Sequence, residues 1–182
     1  MTIWLTSDLH FCHDRDFIYK PRGFSNVDEM NEAIVQNWND IVDDEDEVYC
    51  LGDIMLNNNE KGMELWNRLK GKKHVIFGNH DSKERRILYS EAPNTEIHGC
   101  AMTLRYKGYH LYLSHYPTLT SNYDENYPIR KKVICLCGHV HTQNPYIDLD
   151  KGLIYHVELD AHDNKPIALD KVIEDIEGVF LW

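Results

Sequence analysis

Along this chain, short apolar runs repeatedly end on polar residues that can do chemistry. Trp4-Leu5-Thr6-Ser7 runs into Asp8-Leu9-His10, and Val48-Tyr49-Cys50-Leu51 into Gly52-Asp53. His74-Val75-Ile76-Phe77 leads to Gly78-Asn79-His80-Asp81, and Leu111-Tyr112-Leu113-Ser114 delivers His115. Val133-Ile134-Cys135-Leu136-Cys137 leads to Gly138-His139-Val140-His141. Continuous apolar runs of this length read as strands buried on both faces. Asp, His and Asn at buried strand ends are costly unless something uses them. The ends therefore read as one site.

Taken in order, Thr2 to Thr6 is the first expected strand and Phe11 to Asn26 a polar, aromatic loop. Asp8 and His10 sit two apart, so an extended backbone points both to one side, as two ligands of one metal require. A helix is expected to begin near Asp28-Glu29, with Ser25 or Asn26 as its cap. Met30, Ala33, Ile34, Trp38 and Ile41 keep its spacing. Asp43 to Glu47 is a solvated acidic connection, and Glu47 to Leu51 the second strand. Asn57 to Asn59 reads as a polar loop before a short helix from Gly62 to Leu69. This β-α-β-α-β order implies parallel strands with right-handed crossovers. The second half changes character. Ile97 to Tyr106, Tyr109 to Ser114, Lys132 to Cys137 and Leu153 to Glu158 read as strands, with a hairpin turn at Tyr106-Lys107-Gly108-Tyr109. Leu169 to Ile176 reads as a final helix, and Phe180-Leu181-Trp182 could dock on its own core or on another subunit. The pattern is α/β: two packed sheets with helices outside, in a single domain over residues 1–182.

The formal net charge of −11 argues against strong binding to duplex nucleic acid or an anionic membrane. No apolar run approaches a membrane span, and the N-terminus enters a strand directly. The five cysteines (Cys12, Cys50, Cys100, Cys135 and Cys137) are odd in number and form no Cys-x-x-Cys pair. Neither a disulfide framework nor a zinc knuckle follows, and a reducing, cytoplasmic setting is expected.

The strand ends supply Asp8, His10, Asp53, Asn79, His115, His139 and His141 as candidate ligands. Oxygen and imidazole donors without thiolate suit Mn²⁺, Fe, Zn²⁺, Ni²⁺ or Co²⁺. The set exceeds the needs of one ion, so two divalent metal ions sharing a carboxylate are expected. Two such ions outweigh the charge of Asp8 and Asp53, leaving a local anion site on an acidic protein.

Asp8-Leu9-His10, Gly52-Asp53, Gly78-Asn79-His80-Asp81, the lone His115 and Gly138-His139-Val140-His141 resemble, in order and spacing, the five blocks of the calcineurin-like metallophosphoesterase superfamily. The resemblance implies a four-layer α/β/β/α sandwich of two mixed β-sheets flanked by helices, with a dinuclear centre at its strand ends. It assigns Asp8, His10, Asp53 and His141 to one metal. It assigns Asp53, Asn79, His115 and His139 to the other, with Asp53 bridging and His80 facing the substrate. The small size and the opening from Asp8 to His13 look most like compact bacterial or phage phosphoesterases. Two features depart from other branches. Ile54-Met55-Leu56 stands where the protein phosphatases carry an arginine after their Gly-Asp pair, and no long basic extension of the repair-nuclease kind is present.

The expected activity is dinuclear metal-dependent hydrolysis of a small phosphoester, a diester more than a monoester. A metal-bridging hydroxide attacks and His80 acts as general acid. His13 and Arg22 are candidate contacts for substrate phosphate. The alternatives are a nuclease and a non-catalytic binding or scaffold protein on the same fold.

Overall fold

The computed structural model describes residues 1–120, 128–147 and 153–180. The first half contains β1 (Ile3–Thr6), α1 (Asp16–Tyr19), α2 (Val27–Asn39), β2 (Glu47–Cys50), α3 (Asn59–Asn67), β3 (Lys72–Val75), α4 (Lys83–Glu91) and β4 (Thr95–Ile97). The second half contains β5 (Ala101–Tyr106), β6 (Tyr109–Ser114), β7 (Val133–Cys137), β8 (Tyr146–Ile147), β9 (Ile154–His156), β10 (Ile167–Ala168) and α5 (Leu169–Phe180).

These strands form two mixed sheets with flanking helices. The first has the order β10-β1-β2-β3-β4, with β1 to β4 parallel and β10 antiparallel to β1. The second has the order β5-β6-β7-β9-β8; β6, β7 and β9 are parallel, and β5 and β8 are antiparallel edges. The period of two along each strand sorts the side chains. Val48, Cys50 and Val75 join the core beneath α2 and α3, where Trp38 and Trp66 meet edge to face at 6.2 Å. Leu5, Tyr49, Leu51 and Ile76 face the second sheet and pack with Leu111, Leu113, Leu136 and Tyr155. Leu169, Val172, Ile173 and Ile176 bring α5 into this inter-sheet core. Each fully buried large apolar side chain contributes about 1.5–3 kcal/mol.

Local signals explain most element ends. Asn26 caps α2 by accepting from the Glu29 amide at 2.9 Å, and Glu29 reaches back to the Ser25 amide at 2.8 Å. The hairpin turn forms as expected, with Lys107 and Gly108 both at positive φ (47° and 86°).

Four expectations change. The short helix starts at Asn59, because the Asn58 side chain accepts from the Lys61 amide at 3.0 Å and caps it earlier. The expected strand from Ile97 to Tyr106 is two strands in different sheets, and the chain leaves the first sheet through Gly99 at φ +80°. The loop from Phe11 to Asn26 contains α1, and α4 appears where no helix is expected, because it buries only Tyr89. Leu181 and Trp182, where a docking end is expected, lie outside the described residues. No helix among the described residues is long and apolar enough to cross a membrane.

Candidate metal centre

The carboxyl ends of β1, β2, β3, β6 and β7 converge. Backbone hydrogen bonds zip the loop after β1 onto the loop after β2: Asp8 N to Gly52 O at 3.0 Å, His10 N to Asp53 O at 3.0 Å and Phe11 N to Ile54 O at 2.9 Å. The loop after β3 comes so close that a Cβ on Gly52 would collide with the Gly78 backbone, and one on Gly78 with the Asp53 carboxylate. Glycine is required at both positions.

Asp8 and His10 are not extended. Their φ values are 59° and 54°, and Asp53, His139 and His141 also lie at positive φ (55°, 76° and 54°). Such left-handed steps cost on the order of 1–3 kcal/mol each for non-glycine residues and persist where the surroundings over-determine them. The expected pairing of Asp8 with His10 survives, at 3.5 Å between Asp8 Oδ1 and His10 Nε2, but strand alternation is not its cause.

Two donor groups form around one carboxylate. In the first, His10 Nε2 lies 3.1 Å from His141 Nε2, and Asp8 Oδ1 is 3.5 and 3.6 Å from these two nitrogens. In the second, His115 Nε2 lies 2.8 Å from Asn79 Oδ1 and 3.2 Å from His139 Nδ1. Asp53 Oδ2 sits between them, 3.9 Å from His10 Nε2 and 3.5 Å from His115 Nε2. His80 Nε2 approaches the same oxygen at 3.9 Å from the open side. Asp8 Oδ2 accepts from the His139 amide at 2.8 Å, so it ties the two groups together.

Neighbouring groups hold the ligand atoms in orientation. His115 Nδ1 donates to the Leu51 carbonyl at 2.8 Å, which leaves the Nε2 lone pair facing Asp53. His141 Nδ1 donates to Asp160 Oδ2 at 2.9 Å, which aims its Nε2 at Asp8 and His10. Asp160 is held by Arg22, whose Nε and Nη2 donate to its two oxygens at 3.0 and 2.7 Å. Arg22 also donates to the carbonyls of Asp8 (2.7 Å) and Leu9 (3.1 Å). Asp81 accepts from the amides of Asp53 (3.0 Å) and Gly78 (2.7 Å) and from Tyr89 Oη (2.9 Å), which fixes the Asp53 loop.

The electrostatics are those of a site short of positive charge. Burial pushes the Asp53 carboxyl up to about 6; His115 opposes this and the Asp8 charge adds to it. Burial also favours a neutral Asp8, but contact with His10 and the fields of His10, His115 and His141 hold it well below the usual carboxylate range. Burial lowers His10 to about 4 against the pull of Asp8. Burial favours neutral His141, yet the Asp160 bond and the Asp8 charge raise it. A divalent cation fits this arrangement. Buried Asp8 Oδ1 has no hydrogen-bond partner, imidazole nitrogens converge in pairs, and the donor set is oxygen and nitrogen without thiolate.

Two expected substrate contacts part company. His13 lies in the cleft, with its Nδ1 3.1 Å from His10 Nδ1. Arg22 does not line the cleft. Its side chain is 1% exposed and is spent on Asp160 and the Asp8-Leu9 carbonyls, because folding turns its loop inward beneath the ligands. Cys12 is buried against Asn31, and burial raises its thiol above the ordinary range, which disfavours the nucleophilic thiolate. Asp160 and Asp81 are absent from the expected set. Asp160 could have been found by the rule that found the others, since the run Leu153 to Glu158 also ends on acidic residues.

The cleft over this centre has a volume of about 390 Å³ and is lined by His10, His13, Phe17, Ile18, Asp53, Asn79, His80, His139 and His141. Phe17 stands at its rim, 70% exposed.

Residues 1–157 match the profile of the calcineurin-like phosphoesterase superfamily domain. The chain belongs to this superfamily. It is thus a metal-dependent phosphoesterase. It is 34% identical over 181 residues to the uncharacterized protein MJ1445 of Methanocaldococcus jannaschii, covering 96% of this chain and 91% of that one. It is 29% identical over 199 residues to the Gene 66 protein of Mycobacterium phage D29, covering 96% and 97% of the two chains. Its fold is similar to that of AQ665 from Aquifex aeolicus, a solved protein of unknown function, with a TM-score of 0.69 at 23% identity, covering 95% of this chain and 98% of that one.

In this phosphoesterase, Asp160→Asn keeps the shape of the His141 partner but removes the charge that orients the ring. Metal affinity is expected to fall about 10–100-fold, as for other carboxylates that orient a ligating histidine. Titration of the variant with Mn²⁺, read by recovered activity and by bound metal, checks this. An unchanged affinity would mean that Arg22 and packing alone place His141.

Proposed function

We propose that this chain is a dinuclear phosphodiesterase acting on small diesters. The observation that carries the reading is the place of Asp53 Oδ2 between two imidazole groups, 3.9 Å from His10 and 3.5 Å from His115. Asp8, His10, Asp53 and His141 would hold one divalent cation; Asp53, Asn79, His115 and His139 would hold the other. When bound, such ions polarise phosphoryl oxygens and lower the pKa of water.

The protein's own groups do the rest. His80 stands at the open side of the centre, its side chain 42% exposed, where its Nε2 can pass a proton to the departing alkoxide. Its backbone amide donates to Asp53 Oδ1 at 2.8 Å, so the same turn positions both residues. Arg22 and Asp160 hold His141, and Asp81 holds Asp53. Phe17 and Ile18 line the cleft and offer an apolar side for a substituent.

The lining favours a diester. Among the described residues no lysine or arginine lines the cleft, so the additional charge of a monoester finds no fixed cation there beyond the centre itself. A diester carries less charge and a second substituent, which Phe17 and Ile18 can cover. The net charge of −11 further favours small substrates over duplex nucleic acid.

The test is a panel of aryl monoesters, aryl diesters, cyclic phosphoesters and duplex DNA, assayed after chelation and after addition of Mn²⁺, Zn²⁺, Ni²⁺ or Co²⁺. Diesters are expected to exceed monoesters in kcat/KM by at least about tenfold, a 1.4 kcal/mol preference. Activity is expected to vanish on chelation and to return with metal. A monoester preference refutes the diester reading. Tight, salt-sensitive DNA binding with cleavage makes the protein a nuclease.

A further inference from the structure

Away from the cleft, the edge of the first sheet carries a second convergence of ligand atoms. His74 Nδ1 lies 2.9 Å from His98 Nε2. Glu96 reaches both, with Oε2 3.7 Å from His74 Nδ1 and Oε1 3.8 Å from His98 Nε2. All three ligand atoms lie within 4.8 Å of one another. We propose that His74, Glu96 and His98 form a separate binding site for one divalent transition-metal ion of the Zn²⁺ type.

The fold builds this site from strand register. Tyr49, His74 and Glu96 are direct cross-strand partners on β2, β3 and β4, and so share one face. His98 follows Glu96 by two and returns to that face; its amide is pinned to the Val75 carbonyl at 2.9 Å. The imidazole rings are stacked in series on Tyr49, with centroids 4.4 Å apart for Tyr49–His74 and 5.2 Å for His74–His98. This stack restricts both rings and aims one nitrogen of each at the same point.

The donor set is two imidazoles and one carboxylate, which suits Zn²⁺ and leaves a coordination position for water. Without a cation, the two imidazole nitrogens at 2.9 Å must share one proton between them. One feature limits affinity. With Nδ1 on the metal, the ring proton sits on Nε2, which is buried without a partner. Missing outer-shell partners of this kind cost about 10–100-fold in metal affinity. The edge site is therefore weaker than a fully supported zinc site. Glu96, with its side chain 68% exposed, is free to swing onto the ion.

The experiment counts zinc. Wild type and His74→Gln/His98→Gln are titrated with Zn²⁺ against a chromophoric chelator, with bound metal measured by elemental analysis. Wild type is expected to bind one more equivalent than the double variant, and the double variant to keep its metal-dependent hydrolysis, since neither residue lines the cleft. Glu96→Gln alters one exposed side chain and decides the matter if the double variant misfolds. It is expected to weaken the additional equivalent by at least about tenfold. Equal zinc content in wild type and double variant, or an affinity unmoved by Glu96→Gln, would overturn the site and leave a histidine pair joined only by a hydrogen bond.

Discussion

Asp53→Ala is expected to strip the centre of its metal and to cut turnover by on the order of 10³-fold or more, the scale of losing a preorganised electrostatic element. Asp53 Oδ2 lies within 4 Å of a nitrogen of each imidazole group, at 3.9 Å from His10 Nε2 and 3.5 Å from His115 Nε2. Without it, the first group keeps Asp8 and two imidazoles and the second an imidazole pair and an amide, and neither has a shared Asp53 anion to hold two cations near each other. The Asp53 loop should survive, because the amides of Asp53 and Ile54 are held by Asp81, while the His80 amide loses its acceptor Asp53 Oδ1. Asp8→Ala has a comparable backbone effect on the other side of the centre. Asp8 Oδ2 also receives the His139 amide, so its removal touches the second group through the backbone. Elemental analysis of both variants after dialysis against Mn²⁺ checks the prediction. Wild type that saturates at one ion, or Asp53→Ala that retains two, would remove the bridging role.

His80→Ala is expected to leave metal content nearly intact and to slow hydrolysis of alkyl diesters by about 10²–10⁴-fold, the usual cost of losing a positioned general acid. The turn at Asn79-His80 is secured through its backbone, and truncation spares that. The His80 amide donates to Asp53 Oδ1 at 2.8 Å, and the His80 carbonyl accepts from Arg85 at 2.6 Å. The imidazole itself is half exposed beside Asp53 and can exchange protons with a leaving group. An aryl leaving group departs with less protonation, so its loss should be smaller. Measuring kcat across diesters of rising leaving-group pKa separates the two cases. A constant ratio along the series makes His80 a stabiliser of charge rather than a proton donor, and loss of metal makes it a ligand.

The five motif blocks are legible in the chain for a physical reason. Strands of a mostly parallel sheet are buried on both faces, so they read as apolar runs, and polar groups at their ends stand out because burying them is costly. The β-α-β-α-β order, the α2 cap and the Lys107-Gly108 turn depend on neighbours within a few residues, and spacing captures them. Other features depend on distant partners. The run from Ile97 to Tyr106 looks continuous, but the chain changes sheets at Gly99, and only the packing of two sheets decides where each half pairs. The helix α4 buries one residue, Tyr89, too few to leave a period. Positive φ at Asp8, His10, Asp53, His139 and His141 comes from loops pressed against one another, which no local spacing displays. Arg22 makes the point most plainly. A cation in a polar loop beside two ligands looks the same in sequence whether it reaches out to a phosphate or in to the protein. Its true partner, Asp160, lies 138 residues away, and that distance is closed only when β1 and the turn after β9 are brought together in the folded chain.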